Sequence, residues 1–136
     1  MCDFSDIPKI WKDIADKRGN INSNYGWCVF SEKNYSQFLN VVNELQNNKN
    51  SRRAIMYYSR PSMHMDAFKN GMNDFMCTSC VQYLIRDNKL NGIVTMRSND
   101  AIFGYKYDVL WQKYILKELS NKLNIEIGNL YWNVGS

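Results

Sequence analysis

The sequence predicts an α+β fold in which a mixed or antiparallel sheet packs with helices. Three observations carry this. Phe38, Val41, Val42 and Leu45 recur at helical spacing within 34–46. Two strand-like runs, 76–86 and 90–97, face each other across Asp87-Asn88, a natural hairpin turn. A long amphipathic stretch over 105–123 follows them, and this order of elements suits one sheet covered by helices.

The elements can be justified in chain order. Ile7 to Lys17 is short and amphipathic, with Ile10, Trp11 and Ile14 on one helical face and Gly19 ending it. Asn24-Tyr25-Gly26-Trp27-Cys28-Val29-Phe30 is rich in aromatic and β-branched residues and reads as a strand or an extended loop. The 34–46 helix is followed by a strand over Ala54–Ser59, closed by Pro61. Arg60 to Asn73 lacks periodicity and reads as a surface loop, with His64 exposed in it. In the helix predicted over 105–123, Tyr107, Leu110, Trp111, Tyr114, Ile115 and Leu119 form a broad apolar face. Ile125 to Val134 reads as a last strand, interrupted at Gly128-Asn129. No repeat, linker or low-complexity segment divides the chain, so residues 1–136 are expected to form one domain.

Composition narrows the function classes. A chain of 136 residues buries roughly two-thirds of its unfolded surface, enough for a core without disulfides or metal. Its 45% hydrophobic and 22% charged residues suit a globular chain. With neither a long apolar run nor a basic-then-apolar leader, the expected location is the cytoplasm, and no membrane partner is expected. Cys77 and Cys80 form a C-x-x-C, but Cys2, Cys28 and His64 supply no second paired spacing, so no metal is expected. The net charge of +4 is interspersed with acids, and Lys49-Asn50-Ser51-Arg52-Arg53 is the local basic cluster. That is too little for a nucleic-acid stripe and better matched to one phosphate.

Singly, the polar candidates each have an ordinary explanation. Cys77 is either a buried structural thiol or a nucleophile whose pKa a neighbouring cation lowers. Arg52 and Arg53 are either solvated surface or a forked clamp on phosphate. Arg97-Ser98 combines a guanidinium with a hydroxyl, a weak signal as a dipeptide. Asp108, early in a helix, either complements the helix dipole or meets a ligand. Trp11 and Tyr25 pack in a core or flank a flat ligand.

Together they resemble a known pattern. Ser51-Arg52-Arg53, Cys77 with Gln82 five residues on, Arg97-Ser98-x-Asp100, and Phe103-Gly104 ending in Asp108 are similar to the thymidylate synthase superfamily. Asn22-Ser23-Asn24-Tyr25-Gly26-Trp27, Arg60-Pro61-Ser62-Met63 and Trp111-Gln112-Lys113-Tyr114 resemble more closely its deoxycytidylate (dCMP) hydroxymethylase branch from T-even-type bacteriophages. The resemblance spans nearly the whole chain.

It implies a thymidylate synthase-like mixed sheet packed with helices, in a chain truncated at both ends. Cys77 would add to C6 of the pyrimidine. Arg97 and Ser98 would hold the 5′-phosphate, and Arg52 and Arg53 would reach the phosphate in the other subunit of a homodimer. Asn99 and Asp100 would line the nucleotide. Asp100 and Trp11 would meet the folate, and Tyr25 would join the polar network beside the thiol. Asp108, where thymidylate synthases carry Asn, would accept from cytosine's 4-amino group and share a proton with N3. Thr78, where those enzymes carry His, also fits the hydroxymethylase branch.

The implied reaction moves a one-carbon unit from 5,10-methylenetetrahydrofolate to C5 of dCMP. Water then adds to the exocyclic methylene, giving 5-hydroxymethyl-dCMP for modified phage DNA. A related enzyme acting on dUMP or CMP, and a non-catalytic or incomplete fragment, are the alternatives. The family's N-terminal Arg and Glu, and its His-x-Tyr segment, have no counterpart in this sequence.

Overall fold

In a computed structural model, residues 9–66 and 74–135 are described. They divide into two compact units, one of residues 9–24, 60–66 and 74–76 and one of residues 25–59 and 77–135.

In the first unit, α1 spans Lys9–Ile14, within the predicted helix. The following turn is held by Asp16, whose carboxylate accepts from the backbone of Arg18 and Asn20, each at 2.8 Å. Asp74 joins the unit's two chain segments. Its carboxylate accepts from the backbone N–H groups of Asn22 at 3.0 Å and Ser23 at 2.5 Å. The predicted loop after Arg60 contains one helical turn, α4, over Met63–Asp66. It forms because Ser62 and Arg60 both donate to Asp66 Oδ2, at 3.0 Å and, from Nη2, 2.9 Å. His64 is exposed, as expected, and stacks edge-on against Phe75. The remainder of the predicted loop, 67–73, lies outside the described residues.

The second unit is a four-stranded sheet covered on one face by helices. Its strands are β1 (Ile55–Tyr57), β2 (Thr78–Arg86), β3 (Lys89–Met96) and β4 (Glu126–Val134), in that spatial order. The first three are antiparallel, and β4 runs parallel to β3, so the sheet is mixed. The turn between β2 and β3 is the predicted one: Asp87 and Asn88 both take left-handed backbone angles, φ 51° and 59°, as a two-residue hairpin requires. A parallel strand needs a crossover, and α5 (Tyr105–Leu123) supplies it, with the bounds that periodicity predicts. It ends at Asn124, which accepts the left-handed φ of 50°.

Alternation along β2 and β3 places Val81, Tyr83, Ile85, Leu90, Val94 and Met96 in the core. Phe38, Val41, Val42 and Leu45 of α3 (Gln37–Asn47) and Ile115, Leu116 and Leu119 of α5 cover them. Each fully buried aliphatic side chain contributes about 1.5–3 kcal/mol.

Two expectations need correction, and one takes a different form. Residues 24–30 are not extended: Tyr25–Phe30 is the helix α2. Six residues make a marginal helix, and tertiary contacts complete it. The Cys28 carbonyl accepts from the side-chain amides of both Asn34 and Gln37 at 2.8 Å. β4 runs on through Gly128-Asn129, and the expected interruption is there as a bulge, two residues of β4 facing Asn91 alone. The Asn91 side chain spans the irregularity between β3 and β4 by accepting from Asn129 N at 2.8 Å and donating to the Lys89 carbonyl at 3.1 Å. Lastly, the buried stripe of α5 is rotated from the predicted one. Gln112 and Leu116 are buried, whereas Tyr107, Leu110 and Tyr114 are exposed. No described helix is long and apolar enough to cross a membrane.

Candidate active site

The second unit brings five of the predicted residues together: Cys77, Arg97, Asn99, Asp108 and Tyr25. Cys77 immediately precedes β2 and Arg97 immediately follows β3, so the hairpin holds them side by side. The Arg97 backbone N–H donates to the Cys77 carbonyl at 2.9 Å, and Arg97 Nη2 lies 3.7 Å from Cys77 Sγ. Burial pushes the thiol's pKa up, Arg97 pulls it down, and Asp108 adds to the rise. A half-buried thiol flanked by one cation and one carboxylate rests neutral and ionises at higher pH than a free cysteine.

These opposing charges give a measurable expectation. Alkylation of Cys77 by iodoacetamide, followed by peptide mass spectrometry, should show a midpoint above the ordinary thiol value. Asp108→Asn should lower that midpoint, and Arg97→Ala should raise it. A midpoint that neither substitution moves would show that the three groups are not electrostatically coupled.

Asp108 stands in the first turn of α5, and the loop before the helix aims it. Asp100 organises that loop: its Oδ1 accepts from Ile102 N at 2.7 Å and Phe103 N at 2.9 Å. Its own carbonyl accepts from Gly104 N and Tyr105 N. These backbone bonds hold the Asp100 carboxyl below its usual range. Asn99 Nδ2 then donates to Asp108 Oδ2 at 2.6 Å. Burial raises the Asp108 pKa, while hydrogen bonds from Tyr25 and Asn99 oppose the rise. One carboxylate oxygen is thereby fixed, and the carboxyl is biased toward keeping a proton.

Tyr25 comes from the first turn of α2, and its hydroxyl lies 2.8 Å from Thr78 Oγ1. It donates to Asp108, so it accepts from the threonine hydroxyl, making a directed chain from Thr78 through Tyr25 to Asp108. Thr78 reaches this position because β2 has a bulge. Thr78 pairs with Met96 and Cys80 with Thr95, so Ser79 is extra and the alternation resets. Thr78 is fully buried as a result. Bulges beside active sites commonly re-aim a side chain in this way. The Thr78–Tyr25 contact and the Asn99 clamp on Asp108 are the features that sequence reasoning misses. No local pattern signals a bulge or a contact across 53 residues.

The other candidates stand apart from this cluster or beside it. Ser98 is half-buried between Arg97 and Asn99. Arg52 and Arg53 are exposed on the segment entering β1, where Gln82 donates to the Arg52 carbonyl at 2.8 Å. Asp100 is exposed. Trp11 falls within α1, and the expectation for its side chain lies outside the described residues.

Known proteins resemble this chain over most of its length. The family model described as thymidylate synthase matches residues 5–136. The chain is 52% identical to the deoxycytidylate 5-hydroxymethyltransferases of Enterobacteria phages T4 and T2, over 96% of its own length and 56% of theirs. It is 26% identical to a thymidylate synthase of Francisella tularensis subsp. holarctica, over 93% of this chain and 50% of that one. Among solved structures, the thermostable thymidylate synthase A from Bacillus subtilis superimposes with a TM-score of 0.73 at 24% identity. That match covers 93% of this chain and 46% of the other, and shows the shared fold. The chain thus spans about half the length of the curated relatives it matches.

Proposed function

The chain belongs to the thymidylate synthase family, and from that premise we propose that it carries the pyrimidine-binding part of a dCMP 5-hydroxymethyltransferase. The observation that supports this most is Asp108. A carboxyl stands beside the nucleophile, oriented by hydrogen bonds from Asn99 and Tyr25. A carboxylate accepts from an exocyclic amino group, which cytosine has, and is repelled by the carbonyl oxygen that uracil carries there.

The residues then divide the chemistry. Cys77, as thiolate, forms a bond from Sγ to C6 of the ring, and Arg97 stabilises the thiolate before attack. Negative charge develops on the ring as the bond forms. Protonated Asp108 donates its proton toward N3 and, as carboxylate, then accepts from the 4-amino group. Tyr25, supported by Thr78, keeps Asp108 in place during this exchange. The co-substrate 5,10-methylenetetrahydrofolate supplies the one-carbon unit for C5. Asp100 and Trp11 are the residues assigned to it. Ser98 joins Arg97 at the 5′-phosphate. The C5 proton and tetrahydrofolate are lost, water adds to the exocyclic methylene, and the C6–Sγ bond breaks to free Cys77 and the hydroxymethyl product.

Arg52 and Arg53 are assigned to the nucleotide phosphate of a second copy of the chain. The uncovered face of the sheet supports such a copy. Alternation turns Ile93 and Tyr131 away from the core, and Tyr57 and Tyr131 are 59% and 52% exposed. Sedimentation should give the mass of a dimer for the unaltered chain, and Ile93→Asp with Tyr131→Asp should give a monomer. A monomer before any substitution would refute the shared site.

The direct test of function is tritium release from 5-tritiated dCMP and dUMP with methylenetetrahydrofolate. Release from dCMP in preference to dUMP is the expected result. Release confined to dUMP would replace the hydroxymethylase reading with a methylase one, and release from neither would refute catalysis by this chain.

A further inference from the structure

We propose that Glu44 is a positioning residue that aims the guanidinium of Arg53 end-on at a nucleotide phosphate. This rests on the reading above, in which Arg53 meets that phosphate, and adds the group that orients it.

The geometry is a closed circuit on the surface between α3 and β1. Glu44 Oε1 accepts from Ser51 Oγ at 2.5 Å and from Arg53 Nε at 3.2 Å. Ser51 Oγ in turn accepts from the Arg53 backbone N–H at 3.1 Å. The serine is buried, 5% exposed, and its own N–H donates to the Asn48 carbonyl at 3.0 Å, which ties the circuit to the end of α3. The Glu44 side chain is 26% exposed and that of Arg53 is 84% exposed, so the acceptor is anchored while the cation projects into solvent. The Ser51 bond, with Arg53 adding to it, holds the Glu44 carboxyl below its usual range, keeping it an acceptor.

An arginine can meet phosphate side-on, through Nε and one Nη, or end-on, through both Nη groups. Glu44 occupies Nε and removes the side-on mode. Both Nη groups are left pointing outward as a fork with four N–H donors. Holding a long side chain in this pose also lowers the rotamer entropy lost on binding.

The sign of the effect separates aiming from charge. If Glu44 only neutralised Arg53, removing it would strengthen phosphate binding. If it aims Arg53, removing it weakens binding, by about fivefold on the scale of an exposed ion pair.

The test is calorimetric titration of the full chain with dCMP. Glu44→Ala should raise Kd about fivefold, and Glu44→Gln, which keeps the acceptor oxygen but loses the charge, should restore a Kd at or below that of the unaltered chain. Arg53→Ala should raise Kd by at least as much as Glu44→Ala. Equal melting temperatures for the two Glu44 variants exclude loss of the fold as the cause. If Arg53→Ala matters but Glu44→Ala lowers Kd or leaves it unchanged, the positioning role is wrong while the nucleotide reading stands. If Glu44→Gln leaves Kd as high as Glu44→Ala does, an acceptor oxygen at this position does not aim Arg53, and the positioning role is wrong. If the unaltered chain binds no dCMP, or Arg53→Ala changes nothing, the assignment of Arg53 to phosphate falls, and this inference with it.

Discussion

Replacing Cys77 with alanine is expected to abolish tritium release from 5-tritiated dCMP, a fall of about four orders of magnitude or more. Cys80→Ala should leave release within a few-fold of the unaltered chain. The two thiols are three residues apart, and the fold treats them differently. Cys77 lies against Arg97 Nη2 and within the field of Asp108. Cys80 pairs with Tyr57 on one side and Thr95 on the other, in mid-sheet. Removing the sulfur of Cys77 removes the atom that would bond to C6, and no neighbouring side chain is a comparable nucleophile. Equal losses in the two variants would mean that the thiols act together, as a dithiol, and would overturn the addition mechanism.

Asp108→Asn is expected to move the dCMP-to-dUMP preference by about ten- to a hundredfold toward dUMP. One mispaired buried polar contact costs about 1–3 kcal/mol, and each 1.4 kcal/mol is tenfold. The amide can donate to a uracil oxygen, whereas the carboxylate cannot unless protonated. Asn99 still finds an acceptor in the new side chain, so the local geometry should survive. Stability supplies an independent sign. Burial raises the Asp108 pKa from the ordinary 3.8, so the folded chain holds that proton more tightly than the unfolded one. Its contribution to stability is complete below the ordinary value and is lost as pH rises through the raised one. The asparagine variant lacks that loss, and above this window it should melt a few degrees higher than the unaltered chain. A preference ratio that does not change would remove Asp108 from specificity. A lower melting temperature would show that the carboxylate is well solvated.

Much of this was readable in advance wherever the deciding interaction is local. The β2–β3 turn is legible because Asp and Asn tolerate left-handed angles. The span of α5 is legible because its pattern is long and Asn124 can terminate it. What failed is what depends on partners distant in sequence. The aromatic run 25–30 has strand propensity, but Asn34 and Gln37 satisfy its carbonyl and the segment is helical. The face of α5 was misjudged because Tyr107, Leu110 and Tyr114 recur at helical spacing yet stay exposed, whereas the polar Gln112 is buried. Among site residues, residue types raise Cys77, Arg97, Asp108 and Tyr25 only beside ordinary explanations, and the family resemblance selects them and adds Asn99. How Asn99 and Tyr25 restrain Asp108 required the fold.

The Asp87-Asn88 turn has a reach beyond its two residues. In a hairpin, the number of residues in the turn, together with the bulge at Ser79, sets which residue of β2 stands opposite each residue of β3. A turn one residue longer or shorter would shift β2 against β3 by a single position, and each side chain on one strand would change sides. Cys77 would turn away from the carboxylate, and an inert neighbour would take its place opposite Arg97. The selection of one sulfur as nucleophile is therefore made partly at the far end of the ladder, by two residues that touch none of the reacting groups.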